Sequence, residues 1–263
     1  MKKRTDAVLK HSLATMLIAF ASVAAHAAEV KVTAASTSWA SLPGESSNGG
    51  SSTITGTMKN SGNGSLEMTG DRTRFNGLGV QYNPNSNLGL LSNLNRLTFD
   101  WAIAAGSTSN YGADYTPALR VMIFDNGQRS ELIWEGAYNG TYGNTTRDTW
   151  YSSGASDKFH RYVTGLGTTF NGSGQVNLSL LDWIGSGYYS SAAYISAFSV
   201  GVGSGVGNGY RAFADNVTIG LGNVTTTYNF ELEAADVPEP GSLALLGLGL
   251  LGAAAMRRKS RAS

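Results

Sequence analysis

The chain has no cysteine and only three histidines among its 263 residues. The lack of cysteine excludes thiol nucleophiles, disulfide staples and thiolate metal sites, so the fold must be held by its core alone. His160 is the only histidine between the two terminal segments, which leaves no His pair for a zinc site and little material for a Ser-His-Asp mechanism. No G-x-S-x-G elbow and no D-x-[DN]-x-[DN]-G calcium loop occurs. Charge is sparse at 14% of residues, and the formal net charge of +1 hides an uneven distribution. Between residues 28 and 236, 11 Lys and Arg stand against 16 Asp and Glu, a net of −5. Duplex nucleic acid is therefore not an expected partner, because phosphate neutralisation needs a basic stripe. The 34 glycines follow no strict period, which excludes a collagen-like chain and assigns them to turns and close β packing.

What the chain does have is concentrated at its ends. Near the C-terminus, Val237-Pro238-Glu239-Pro240 precedes an apolar run from Leu243 to Met256 that includes Leu246 and Leu250. Arg257, Arg258 and Lys259 follow it. As a helix this run spans roughly 21 Å, short of the roughly 30 Å hydrocarbon core, so it is a marginal membrane span. The cations resist translocation and stall export. Each proline removes a backbone donor and biases its predecessor to extended geometry, the conformation a protease site binds. Proline pair, short apolar helix and basic cluster, in that order, resemble the PEP-CTERM sorting signal of Gram-negative bacteria. That resemblance implies exosortase as a processing partner. It also implies passage through the inner membrane, with release or re-anchoring afterwards. The same tail is sometimes named an ice-binding protein C-terminal domain, a label that implies nothing about ice.

The N-terminus agrees. Lys2, Lys3, Arg4 and Lys10 precede an apolar stretch from Leu13 to Ala25, and Ala25-His26-Ala27 offers small residues to signal peptidase. Cleavage is expected after Ala27. The chain thus divides into a signal peptide (1–27), an exported β-sandwich domain (28–236) and a sorting tail (237–263). Gly247-Leu248-Gly249-Leu250-Leu251-Gly252 satisfies the dinucleotide fingerprint but lies inside the sorting helix without a βαβ unit, so it builds no phosphate site.

The body reads as strands. Arg96 to Ala104 alternates, with Leu97, Phe99, Trp101 and Ile103 on one face. Leu119 to Phe124 and Arg129 to Glu135 flank Asp125-Asn126-Gly127-Gln128, and Asn-Gly selects a type I′ hairpin that pairs Val121 with Leu132 and Leu119 with Trp134. Further strands are expected at Lys158 to Val163, Gln175 to Leu181, Ala193 to Val202, Arg211 to Ile219 and Val224 to Leu232. In the last, Val224, Thr226, Tyr228, Phe230 and Leu232 share a face. Weaker strand signals lie at Val30 to Ala34, Thr53 to Met58, Ser65 to Met68 and Gly79 to Tyr82. A short helix is expected around Leu180 to Ile184. Ser41 to Ser52, Gly106 to Thr116 and Tyr138 to Ser156 read as loops. The pattern indicates an all-β, antiparallel, jelly-roll-like sandwich.

Candidate chemistry is thinner. Leu132 to Gly140 (Leu-Ile-Trp-Glu-Gly-Ala-Tyr-Asn-Gly), Asp148-Thr149-Trp150, Asp215-Asn216-Val217-Thr218 and Asn229-Phe230-Glu231 resemble short motifs that recur in exported domains attached to PEP-CTERM tails. The resemblance implies a jelly-roll domain of no assigned activity. Glu135, Asp148 and Asp215, with Asn139 beside them, offer hard oxygen ligands of the kind calcium takes, and the same acids equally suit turn caps. A second ligand hypothesis rests on Tyr138, Tyr142, Trp150, Tyr151, Tyr188 and Tyr189 in or beside glycine-rich loops, where aromatic rings can stack on sugar faces. A glycosidase needs two facing carboxylates, and Glu131 and Glu135, four apart on one strand, are roughly 13 Å apart by strand rise. These readings predict a non-catalytic exported protein of the outer surface or extracellular matrix, a structural or exopolysaccharide-associated component. The alternatives are a carbohydrate-binding module with a structural calcium and, behind it, a glycan-active hydrolase.

Overall fold

The computed structural model describes residues 27–112, 115–136 and 145–233. Ala25, the Val237–Pro240 motif, the Leu243–Met256 run, the basic cluster, Tyr138, Asn139 and Tyr142 lie outside these residues. The described strands, numbered in chain order, form two main sheets. The seven-stranded sheet contains β1 (Ala28–Val32), β3 (Ser51–Thr55), β4 (Ser65–Thr69), β6 (Leu94–Ile103), β9 (Tyr151–Ser152), β16 (Arg211–Leu221) and β17 (Val224–Phe230). The eight-stranded sheet contains β2 (Trp39–Ser41), β5 (Thr73–Gly79), β7 (Ala118–Asp125), β8 (Gln128–Glu135), β10 (Lys158–Val163), β11 (Gly167–Thr168), β14 (Asn177–Ser179) and β15 (Tyr194–Val202). A separate hairpin joins β12 (Phe170–Asn171) to β13 (Gly174–Gln175). One short helix, α1 (Leu180–Gly185), is capped by Ser179, whose hydroxyl accepts the Asp182 amide.

The chain is an all-β antiparallel sandwich, and among the described residues one pair is parallel, where β1 runs beside β17. Apolar residues at alternate strand positions fill the space between the sheets. Phe99 and Trp101 of β6 meet Trp134 of β8 across the gap, with ring centroids 5.0 and 5.9 Å apart. Trp39 and Phe75 meet Phe230 in the same way at 5.3 and 5.6 Å. Three of these pairs are edge-to-face and Trp101–Trp134 is tilted, and such edge-to-face contacts add about 0.5–1.5 kcal/mol each beyond area burial. The β7–β8 register is the expected one, Val121 opposite Leu132 and Leu119 opposite Trp134, and Asn126 and Gly127 both take positive φ, 50° and 78°.

Several boundaries differ from expectation. No strand runs from Gly79 to Tyr82, because Gly79 has φ of 79° and ends β5, leaving Val80 and Tyr82 exposed in a turn. β2 and β5 themselves carried no clear alternation. The inward position Gly77 is a glycine because the Trp39 indole occupies its side-chain space, and a Cβ there would lie 2.1 Å from the ring. Gln175 to Leu181 splits between β13 and β14 and then turns into α1 at the Ser179 cap. Only Tyr228 and Phe230 of the expected β17 face are buried, since Val224 and Leu232 lie at or past the sheet ends and are exposed. Ser41 and Ser51–Ser52 fall in strands rather than in the loop between them, and Tyr151–Ser152 inside the third expected loop pairs with Asp100 and Trp101.

Candidate functional site: an arginine-lined pocket on the eight-stranded sheet

Alternation that sends Leu119, Val121, Leu132 and Trp134 inward sends Arg120, Glu131 and Glu135 to the outer face of the same sheet. On β15, between β5 and β7, the residues facing Arg74 and Arg120 in register are the small Gly201 and Ser199. Small side chains there keep the floor low, so long side chains from β5 and β8 can reach across it. Arg74 Nη1 lies 3.2 Å from Glu131 Oε2, and Arg129 Nη2 lies 2.5 Å from Oε1. Arg120 Nε stands 3.7 Å from the same carboxylate. Glu45, from the 3-10 turn Pro43–Glu45, pairs with Arg72 and accepts the Tyr82 hydroxyl, with Arg74 Nε 3.6 Å away. The Arg129 guanidinium sits 4.4 Å above the Tyr82 ring.

The four arginines, Glu131 and Tyr82 line a pocket of about 350 Å³, with Tyr162 on its wall, and Glu45 pairs with its Arg72. Four arginines and two glutamates leave an excess of positive charge. Burial by itself would raise the Glu131 carboxyl, but the charges of Arg74, Arg120 and Arg129 outweigh it and hold it at about 2. Burial, joined by the Arg74 charge, lowers Arg120 to about 10, which keeps it protonated at neutral pH. The Nε atoms of Arg74 and Arg120 are buried without a hydrogen-bond partner among the described residues. Each instead faces a carboxylate at ion-pair distance, 3.6 Å from Glu45 and 3.7 Å from Glu131, so the charge is met but the donor capacity is not fully used.

The expected ligand residues are distributed elsewhere or used structurally. Glu135 is buried beside the Arg120 end of the cluster, where burial raises its carboxyl and Tyr115 hydrogen-bonds to it. Asp148 takes φ of 53°, donates its amide to Ile103 and accepts the Ala105 amide on Oδ1 at 2.7 Å, a turn-bracing role. Asp215 lies opposite Asp100 on the outer face of the seven-stranded sheet. Its Oδ1 accepts the amides of Asn216 and Phe230 at 2.8 and 2.9 Å across a bulge between Asp215 and Thr218. Burial raises Asp215 to about 6, against those amides and with Asp100 adding to the rise. Asp100 in turn accepts Asn60, Asn216 and Ser152. Among the described residues no three acidic or histidine side chains are grouped to hold a metal ion.

Among the described residues the loop aromatics do not form one platform. Trp150 donates to the Lys59 carbonyl and packs on Ala102, Ala104 and Phe213, and Tyr151 stacks on Trp101 at 4.9 Å. Tyr189 is buried under Arg161, and Tyr188 tilts against Trp183. Trp101 and Trp134 are core residues, as their alternation predicts. His160 is a buried strand residue, lowered to about 4 by burial and by Arg120. The motif acid Glu231 accepts the Asn63 and Gly64 amides, and Asn229 donates to Glu29. Asp148, Trp150, Asp215, Asn229 and Glu231 of the recurring short motifs therefore brace the sandwich. The arginine pocket was missed because its members are scattered along the chain. One signal was available: Arg120 interrupts the apolar strand Ala118–Asp125 at an outward position.

Residues 236–259 match the family model of the PEP-CTERM protein-sorting motif. The chain carries an exosortase-sorting tail. It is accordingly an exported protein recognised by exosortase. No curated protein matches the chain significantly. Among the described residues no helix is long and apolar enough to cross a membrane, and the apolar run of the sorting tail falls outside them.

Proposed function

We propose that the sorted domain is a non-catalytic component of the outer surface or extracellular matrix of a Gram-negative bacterium, and that it associates with exopolysaccharide through the outer face of its eight-stranded sheet. In this reading signal peptidase removes residues 1–27, exosortase processes the tail, and residues 28–236 remain as the working domain. The carrying observation is the open, arginine-lined pocket with Tyr82 and Tyr162 beside it, on a protein whose tail directs export. Binding without hydrolysis is supported by Glu131. It is the carboxylate lining the pocket, and three arginines hold it ionised far below neutral pH, where it has no proton to give and little basicity. A calcium-dependent module draws less support, because Asp148 and Asp215 serve turns and bulges. The test is affinity electrophoresis of the extracellular protein in gels containing exopolysaccharide from the producing strain. Retarded migration is expected, and unretarded migration rejects the reading.

A further inference from the structure

The pocket also indicates which kind of sugar it takes, an inference that rests on the reading of this face as a glycan site. Arg72, Arg74, Arg120 and Arg129 line it against the carboxylates of Glu45 and Glu131. Arg120 is 3% exposed and yet lines the pocket, and its Nε has no hydrogen-bond partner among the described residues. Arg74 Nε is in the same condition. The two existing carboxylates show how these guanidinium groups hold a planar oxyanion, and the positive charges left over match one more. Guanidinium forks are suited to carboxylate because two parallel N–H donors meet its two oxygens. Tyr162 is 39% exposed, so its ring offers apolar surface to the body that carries the charge, whereas the Tyr82 ring already has the Arg129 guanidinium over one face. A volume of about 350 Å³ lies at the small end of ligand sites, which run from roughly 300 to 1,000 Å³.

We infer that this pocket binds the carboxylate of an acidic sugar residue, with Arg120 and Arg74 as donors and Tyr162 against the sugar ring. A neutral sugar would leave the excess of guanidinium charge unmatched, and a bare inorganic anion would leave the exposed Tyr162 face unused. The preference is therefore for uronate-bearing polysaccharide over both.

The experiment is isothermal titration of the extracellular protein with trigalacturonate, with the neutral galactose trimer, and with inorganic sulfate and phosphate, at low and high salt. Trigalacturonate is expected to bind at least ten-fold more tightly than the neutral trimer and to weaken as salt rises. Arg129→Gln is expected to lose at least ten-fold in affinity. Tyr162→Ala is expected to bind more weakly while keeping the preference for the acid. Arg120→Gln is tested alongside, and if it fails to fold the other two variants carry the result. Equal binding of the acidic and neutral trimers, no binding of trigalacturonate, or displacement of trigalacturonate by equimolar sulfate each overturns the inference. The outcome is separable from the broader reading: if Arg129→Gln is retarded in the exopolysaccharide gel as strongly as wild type, the face binds glycan but not through this pocket.

Discussion

Arg74 Nη1 and Glu131 Oε2 are 3.2 Å apart although 57 residues separate them in sequence. The contact reaches from β5 to β8 over the outer face of β15 and β7, and it closes the arginine cluster from one side. Because Glu131 is buried among Arg74, Arg120 and Arg129, its charge is what keeps three guanidinium groups tolerable in a poorly solvated place.

Glu131→Gln should therefore destabilise the protein by about 3–5 kcal/mol, since it strands buried arginines without their counter-charge. Glu67→Gln is the control. Glu67 pairs with Arg211 at 2.7 Å, but Arg211 is 40% exposed in its side chain, so the expected loss is about 1 kcal/mol or less. Urea unfolding midpoints of the two variants at pH 7 check the contrast, and equal losses would contradict the role given to Glu131.

Much of the sandwich can be read from the chain because β6 alternates in period two and a local turn joins β7 to β8. Leu97, Phe99, Trp101 and Ile103 are all buried, and the Asn126-Gly127 turn sets the β7–β8 register residue for residue. β2 and β5 are silent for a physical reason: the Trp39 indole lies where the Gly77 side chain would be, so one residue supplies the apolar mass for two strands. The pocket depends on that hidden β5. Without its register Arg72 and Arg74 read as ordinary surface charges, and nothing local to Arg120 or Glu131 tells that they will meet them. The acids that look functional in sequence, Asp148 and Asp215, owe their placement to backbone turns and amides instead.

Gly77→Ala tests this account of β5. The added Cβ would press on Trp39, which is itself 1% exposed and packed on Phe75, Tyr228 and Phe230. Overpacking of a filled core costs about 1–3 kcal/mol. A lowered melting temperature with a shifted tryptophan emission is expected, and an unchanged melt would mean that Trp39 does not fill the Gly77 position.

Acid stability is set by opposing groups. His160 is lowered from 6.5 to about 4 in the fold, so the stability it contributes is present above pH 6.5 and is lost as pH falls toward 4. Asp215 is raised from 3.8 to about 6, so its contribution is present below about pH 4 and is lost as pH rises through 6. Glu135, also raised, acts in the sense of Asp215. Relative to wild type, His160→Gln should gain stability on going from pH 7 to pH 4, and Asp215→Asn should lose it. Each change is up to about 3 kcal/mol at 1.36 kcal/mol per pH unit. Below pH 4 both variants should fall together with wild type as Glu131 is protonated on the way to about 2. Denaturant titrations at pH 7, 5.5 and 4 measure the slopes, and parallel slopes for the two variants would refute the assignment.

The sorting tail makes a prediction about covalent structure. Residues 236–259 carry the PEP-CTERM motif, and a helix of the 14 residues from Leu243 to Met256 would span roughly 21 Å against the roughly 30 Å of a bilayer core. In the proposed function such a segment holds the chain only until exosortase acts, and Arg257, Arg258 and Lys259 resist translocation meanwhile. Mass spectrometry of the extracellular protein should therefore begin at Ala28, the first residue of β1, and should contain no peptide from 243–256. Replacing Arg257, Arg258 and Lys259 by glutamine should weaken the stall, so that uncut chain leaks into the medium and processed product declines. Recovery of wild-type extracellular protein with its tail intact would show that the tail is not removed and would undo the assignment of residues 28–236 as the working domain.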